Sequence, residues 1–96
     1  MVALNDIRLH REEILRMSAR HGATNIRVFG SVARGTASGG SDVDFLVDLL
    51  PGRSLLDVAG LLLDLRALLG RDVDVVTTAG LRDRIRDDVL AEAVAL

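Results

Sequence analysis

Apolar and polar positions change period several times along the chain, and each change marks an element. Between Asn5 and His21, Ile7, His10, Ile14 and Met17 recur at helical spacing while charges fill the other positions, which predicts an amphipathic helix over 5–21. Asn5 is placed to cap its start, and Gly22 stands where a helix ends. Asn25 to Phe29 predicts a short strand, and the glycine- and serine-rich stretch from Gly30 to Gly40 a loop with one helical turn at Ser31 to Arg34. From Val43 to Leu49 the period falls to two. Val43, Phe45 and Val47 face one way, and Asp42, Asp44, Leu46 and Asp48 face the other. Pro51-Gly52 reads as a turn, and Ser54 with Asp57 forms a capping-box pattern that opens a leucine-rich helix ending at Gly70. Asp72 to Thr77 repeats the alternation, with Val73, Val75 and Thr77 opposite Asp72, Asp74 and Val76. A last helix is predicted from about Leu81 to Ala95.

The predicted order is α-β-α(short)-β-α-β-α. It describes an α/β (α+β) fold with a small mixed three-stranded sheet flanked by helices. A helical crossover joins the second and third strands, so these two are expected to be parallel neighbours. That pairing would bring Asp42 and Asp44 close to Asp74 on one face of the sheet. No repeat or linker divides the 96 residues, and a single domain over 1–96 is expected.

Composition narrows the chemistry. There is no cysteine, which excludes disulfides and thiolate metal sites. The only histidines, His10 and His21, read as packing or surface residues. The net charge of -2 provides no basic field, so direct nucleic-acid binding is not expected. All twelve basic residues are arginine, which reads mainly as genome composition bias, although arginine also suits phosphate recognition. The longest apolar stretch is interrupted by Asp57, Asp64 and Arg66, so no membrane span is expected. The N-terminus shows no signal-peptide core, and a cytoplasmic protein is the expectation.

The candidate chemistry lies in the loop and the strand after it. Asp42 and Asp44, two positions apart on a strand, point to the same side and repel each other. A divalent cation resolves that repulsion, since Mg²⁺ prefers hard oxygen ligands and combines a few carboxylates with substrate phosphates. A third carboxylate from Asp74 would allow a two-metal arrangement, which serves in-line phosphoryl displacement. In the loop, Gly30 lets backbone approach a ligand closely, Ser31 opens a helical turn where N–H groups and a hydroxyl meet phosphate, and Arg34 projects from that turn. Taken singly, each of these has a plainer reading as a turn, a solvated charge or a strand edge. Asp72 is kept as structural, and Asp48 is expected near solvent.

The run Gly30-Ser31-Val32-Ala33-Arg34-Gly35, followed by Ser41-Asp42-Val43-Asp44, resembles the signature of the DNA-polymerase-β-like nucleotidyltransferase superfamily. Within it the chain resembles the minimal nucleotidyltransferase (MNT) family over nearly its whole length, including Leu69 to Val76 and a tail with Leu81, Ile85, Leu90, Glu92 and Ala93. Gly40 departs from the pattern, since an acidic residue often stands there. The resemblance implies that Gly30, Ser31, Arg34 and Ser41 hold the phosphates of ATP. It implies that Asp42, Asp44 and Asp74 are catalytic and bind Mg²⁺, two ions in all, with Asp74 also helping to deprotonate the acceptor hydroxyl.

It further implies an antitoxin of a HEPN/MNT toxin–antitoxin pair. Such a protein adenylyltransferase transfers AMP from ATP, with release of pyrophosphate, to a tyrosine hydroxyl of a HEPN RNase toxin with which it forms a hetero-oligomer. The alternatives are an antitoxin that acts by direct binding and a nucleotidyltransferase for small molecules. Two features of the chain bear on the choice. Its 96 residues leave no room for a domain that holds a second substrate, so a partner is expected to bring the acceptor. The leucine-rich helix also carries more apolar residues than one buried face needs, so it is either fully buried or a partner surface.

Overall fold

The computed structural model describes residues 4–37 and 42–96. Its elements are α1 (Leu4–Arg8), α2 (Arg11–Arg20), β1 (Ala23–Phe29), α3 (Gly30–Arg34), β2 (Val43–Leu49), α4 (Leu55–Leu69), β3 (Val73–Thr77), a 3-10 turn (Thr78–Gly80), α5 (Asp83–Glu92) and β4 (Val94–Ala95). Among the described residues the sheet has four strands in the order β3-β2-β1-β4. β2 runs parallel to β3 and antiparallel to β1. The expected α/β class and the parallel crossover pair are both present.

β2 is the centre of the fold because its alternation works on both faces. Val43, Phe45 and Val47 are fully buried in a core with Ile14 of α2 and Leu61 and Leu65 of α4. Leu46, on the opposite face, is equally buried but lies outside that core. The acidic face is therefore covered at its middle, and its carboxylates are separated into two ends. The α4 start is built as expected. Ser54 Oγ accepts from the Leu56 N–H at 3.2 Å, and the Asp57 carboxylate accepts from the Ser54 N–H at 3.0 Å. Gly70, in the left-handed region at φ 66°, ends the helix. His21 Nε2 lies 2.7 Å from Asp64 Oδ2 and ties the end of α2 to α4, a packing role like the one expected of it. α4 is not fully buried. Leu55, Leu56 and Leu63 are 81%, 84% and 63% exposed. No helix among the described residues is long and apolar enough to cross a membrane.

Three features correct the sequence expectation. The helix expected over 5–21 is two helices with a break at Leu9 and His10. Arg8 and Arg11 flank the break and donate to the carbonyls of Ala95 and Leu96 at 3.0 and 3.1 Å, so the break sits where the two helices grip the end of the chain. The last helix stops at Glu92 rather than near Ala95, because Ala93 turns to extended backbone (φ −64°, ψ 136°). The residues released form β4, a fourth strand where three were expected, pairing Val94 with Val28 and Ala95 with Arg27. That pairing covers an edge of β1 that a longer helix would leave open.

The third correction is that β1 begins at Ala23 and not at Asn25. A register shift between Thr24 and Arg27 marks a bulge, with Asn25 at φ 51°. Asp48 organises this bulge. Its carboxylate accepts from Asn25 Nδ2 at 3.1 Å and from Arg27 Nη2 at 3.2 Å, while Arg27 Nη2 also donates to Thr78 Oγ1 at 3.0 Å.

Hydrogen bonding, first from Thr78 and then from Asn25 and Arg27, holds the Asp48 carboxyl below the ordinary value of 3.8 despite its partial burial. A depressed carboxylate contributes stability that is present above its unfolded value and is lost as pH falls through its folded value. Asp48→Asn is therefore expected to lower stability at neutral pH and to flatten the acid limb of the curve below about pH 4. Denaturant titrations at stepped pH check this; parallel acid limbs would contradict it.

Candidate functional site

Strand register positions the acids. Asp44 on β2 and Asp74 on β3 are direct register partners, and Asp42 immediately precedes β2. Val43, between the two β2 acids, donates its N–H to the Asp72 carbonyl at 3.1 Å, which locks the start of the β2–β3 pair. Asp44 is half-buried, whereas Asp42 and Asp74 are exposed. Burial, and then the charges of Asp74 and Asp42, push the Asp44 carboxyl above the usual aspartate range. The Arg34 guanidinium opposes this shift, and Glu92 adds to it. Asp44 and Asp74 are thus set side by side, with Asp42 near enough for its charge to act on Asp44. Asp72 stays exposed at the strand start, and Asp48 lies in the bulge network at the other end of β2.

The loop side of the site is α3, which starts directly at the end of β1. Phe29, the last β1 residue, is the register partner of Asp44, so α3 begins beside the acids. Gly30 is buried at φ 73°, a conformation that side-chain-bearing residues rarely adopt. A Cβ placed on it would collide with the Asp44 carboxylate. Ser31, partly exposed, follows in the first turn, and Arg34 closes the helix with its side chain 53% exposed. Ser41, and Gly40 with it, lie outside the described residues.

Sequence reasoning gave no separate role to Glu92, which the structure brings to the same corner. Its Oε1 accepts from the Gly30 N–H at 2.7 Å, and its two oxygens lie 3.2 and 3.1 Å from Arg34 Nη1. One local signal was available. Glu92 is the last residue of α5, and a carboxylate there opposes the helix dipole unless a tertiary partner holds it.

Among the described residues, no group of three or more acidic or histidine side chains is already drawn together as a metal cage. The donor set nevertheless suits a hard divalent cation. It consists of oxygen ligands only, and the carboxyl of Asp44 is raised by burial and by two neighbouring acids, a strain that bound positive charge relieves. A separate cavity of about 390 Å³ opens at the far end of β2 and β3, lined by Asp48, Leu49, Thr77, Thr78, Ala79 and Arg86. It does not include the converging acids.

Comparison with known proteins identifies the family. Residues 7–96 match the family model described as a nucleotidyltransferase domain. A protein adenylyltransferase, MntA, of Thermococcus cleftensis is 44% identical over 85 residues, covering 88% of this chain and 83% of that protein. A Methanocaldococcus jannaschii protein named for the same adenylyltransferase activity is 37% identical over 84 residues, covering 88% and 90%. A solved minimal nucleotidyltransferase superposes with a TM-score of 0.89 at 52% identity, covering 99% of this chain and 97% of that one. A toxin–antitoxin crystal structure with AMP-PNP shares the fold, with a TM-score of 0.74 at 22% identity over 88% of this chain and 69% of that one. The chain belongs to the nucleotidyltransferase domain family, in its minimal nucleotidyltransferase branch, and is a nucleotidyltransferase.

Proposed function

We propose that this protein is a cytoplasmic antitoxin that transfers AMP from ATP to a tyrosine hydroxyl of a HEPN RNase toxin, with Mg²⁺, and so neutralises it. The observation that carries the reading is the register pairing of Asp44 with Asp74 beside α3, which gathers carboxylates and an arginine at one corner. The names of the two relatives, both protein adenylyltransferases, support adenylyl transfer to a protein acceptor.

In this reading Asp42, Asp44 and Asp74 would hold magnesium, which would supply charge neutralisation for the triphosphate. Ser31 and Ser41 donate to phosphate oxygens, and Arg34 offsets their charge. Gly30 contributes by lacking a Cβ, which lets α3 start against the Asp44 carboxylate. Asp74, the more exposed of the paired acids, takes the proton of the acceptor hydroxyl. The hydroxyl oxygen bonds to the α-phosphorus, the bond to the bridging oxygen breaks, and pyrophosphate leaves. Charge stabilisation and positioning account for most of such a reaction, and these residues provide both.

A second reading, neutralisation by direct binding, draws on the exposed Leu55, Leu56 and Leu63 of α4. One experiment separates the two. The protein is incubated with labelled ATP, Mg²⁺ and the HEPN toxin encoded beside it. The expected result is a mass gain of one AMP on the toxin, abolished by Asp42→Asn with Asp44→Asn. Transfer that survives the double change would sink the carboxylate assignment. Protection of cells by the double variant would favour direct binding.

A further inference from the structure

We infer that Glu92 is a positioning residue, a fixed brace that joins the C-terminal segment to α3 and sets where Ser31 and Arg34 meet the nucleotide. The inference deepens the adenylyl-transfer reading and rests on it.

A backbone N–H is a single donor. Glu92 occupies that of Gly30 at 2.7 Å, so phosphate reception within the turn falls to Ser31. The same carboxylate holds Arg34 Nη1 through both oxygens, at 3.2 and 3.1 Å. A carboxylate on these donors could in principle be a stand-in anion that the triphosphate displaces. The surroundings favour a brace. Glu92 is followed directly by Ala93 and by β4, which is paired to β1. The carbonyls of Ala95 and Leu96 are held by Arg8 and Arg11. That clamp anchors the backbone that carries Glu92, and the side chain is only 28% exposed while it bonds both the Gly30 N–H and Arg34. Removing it would leave the first N–H of α3 unpaired and Arg34 without its fixed partner, while Asp42, Asp44 and Asp74 stay in place on the sheet.

The test measures binding of a non-hydrolysable ATP analogue with Mg²⁺, and then transfer kinetics with the toxin. Glu92→Gln keeps an acceptor for Gly30 but removes the charge from Arg34. It is expected to weaken analogue binding and raise the KM for ATP by roughly five- to tenfold, the scale of one charge-assisted hydrogen bond, with a smaller change in kcat. Glu92→Asp is expected to recover part of that loss. In an Arg34→Ala background Glu92→Gln is expected to add little, because the charge acts through Arg34.

Tighter binding by Glu92→Gln would overturn the inference and identify Glu92 as a competing anion. An equal effect with and without Arg34 would overturn it in favour of a general stabilising role. Wild-type protein that binds no analogue would overturn both this inference and the proposed function. Normal wild-type binding with an unaltered Glu92→Gln variant would overturn this inference alone.

Discussion

Asp44→Asn is expected to abolish transfer and, in metal-free solution, to make the protein more stable. Asp44 is the acid most affected by its surroundings, being half-buried, paired in register with Asp74 and close to Asp42 and Glu92. Folding raises its proton affinity, so the folded state pays for keeping it ionised at neutral pH. A carboxylate with a raised folded pKa weakens the fold above that pKa, and the penalty disappears as pH falls toward the ordinary value of 3.8. Asparagine has nearly the same shape and no charge, so it removes the penalty. Melting the two proteins in EDTA at neutral pH should show a higher temperature for the variant, with a gap that closes on acidification. If Asp44 holds magnesium as proposed, transfer should fall about a thousandfold or more, since losing such a ligand removes several kcal/mol at about 1.4 kcal/mol per tenfold. A variant less stable than wild type in EDTA would show that the carboxylate serves the fold rather than the reaction.

That opposition between stability and use is legible in the alternation of β2, which sets Asp44 opposite the buried Val43, Phe45 and Val47. It could be read because a period of two and a known crossover geometry are local rules. The Ser54–Asp57 capping box and the Gly70 stop were legible for the same reason, since a helix cap is made within a few residues. The break between α1 and α2 was not legible. It is held by bonds from Arg8 and Arg11 to residues 87 and 85 positions away. β4 is two residues long and exists only because β1 offers an edge, so it has no period of its own to display. The bulge in β1 hid behind polar Thr24 and Asn25, whose side chains look like a turn until Asp48 is brought against them. In the candidate site the acids, the glycine and the arginine could be named from spacing, while Glu92, 62 residues beyond Gly30, could not. Its cue, an acid at the wrong end of a helix dipole, indicates that a partner exists but not which one.

Gly30→Ala is expected to lose both stability and activity, and Gly35→Ala only stability. The two glycines bracket the same short helix and share a left-handed backbone, at φ 73° and 77°. An alanine at either position pays a backbone cost of roughly 1–2 kcal/mol. Their surroundings differ. A Cβ on Gly35 meets nothing within 4 Å, whereas one on Gly30 collides with the Asp44 carboxylate. The Gly30 variant must turn the Asp44 carboxylate away from its place beside α3 or move α3 with the Glu92 bond to its first N–H. Either displacement misplaces charge by a fraction of an ångström to an ångström, which costs transfer on the order of a hundredfold. The Gly35 variant should retain transfer within about threefold, since strain alone leaves the reacting groups in place. Melting curves and single-turnover transfer rates on the pair decide the matter. Similar falls in melting temperature with a large gap in rate place the requirement for glycine at the approach to Asp44. Equal falls in rate would assign it to backbone strain alone.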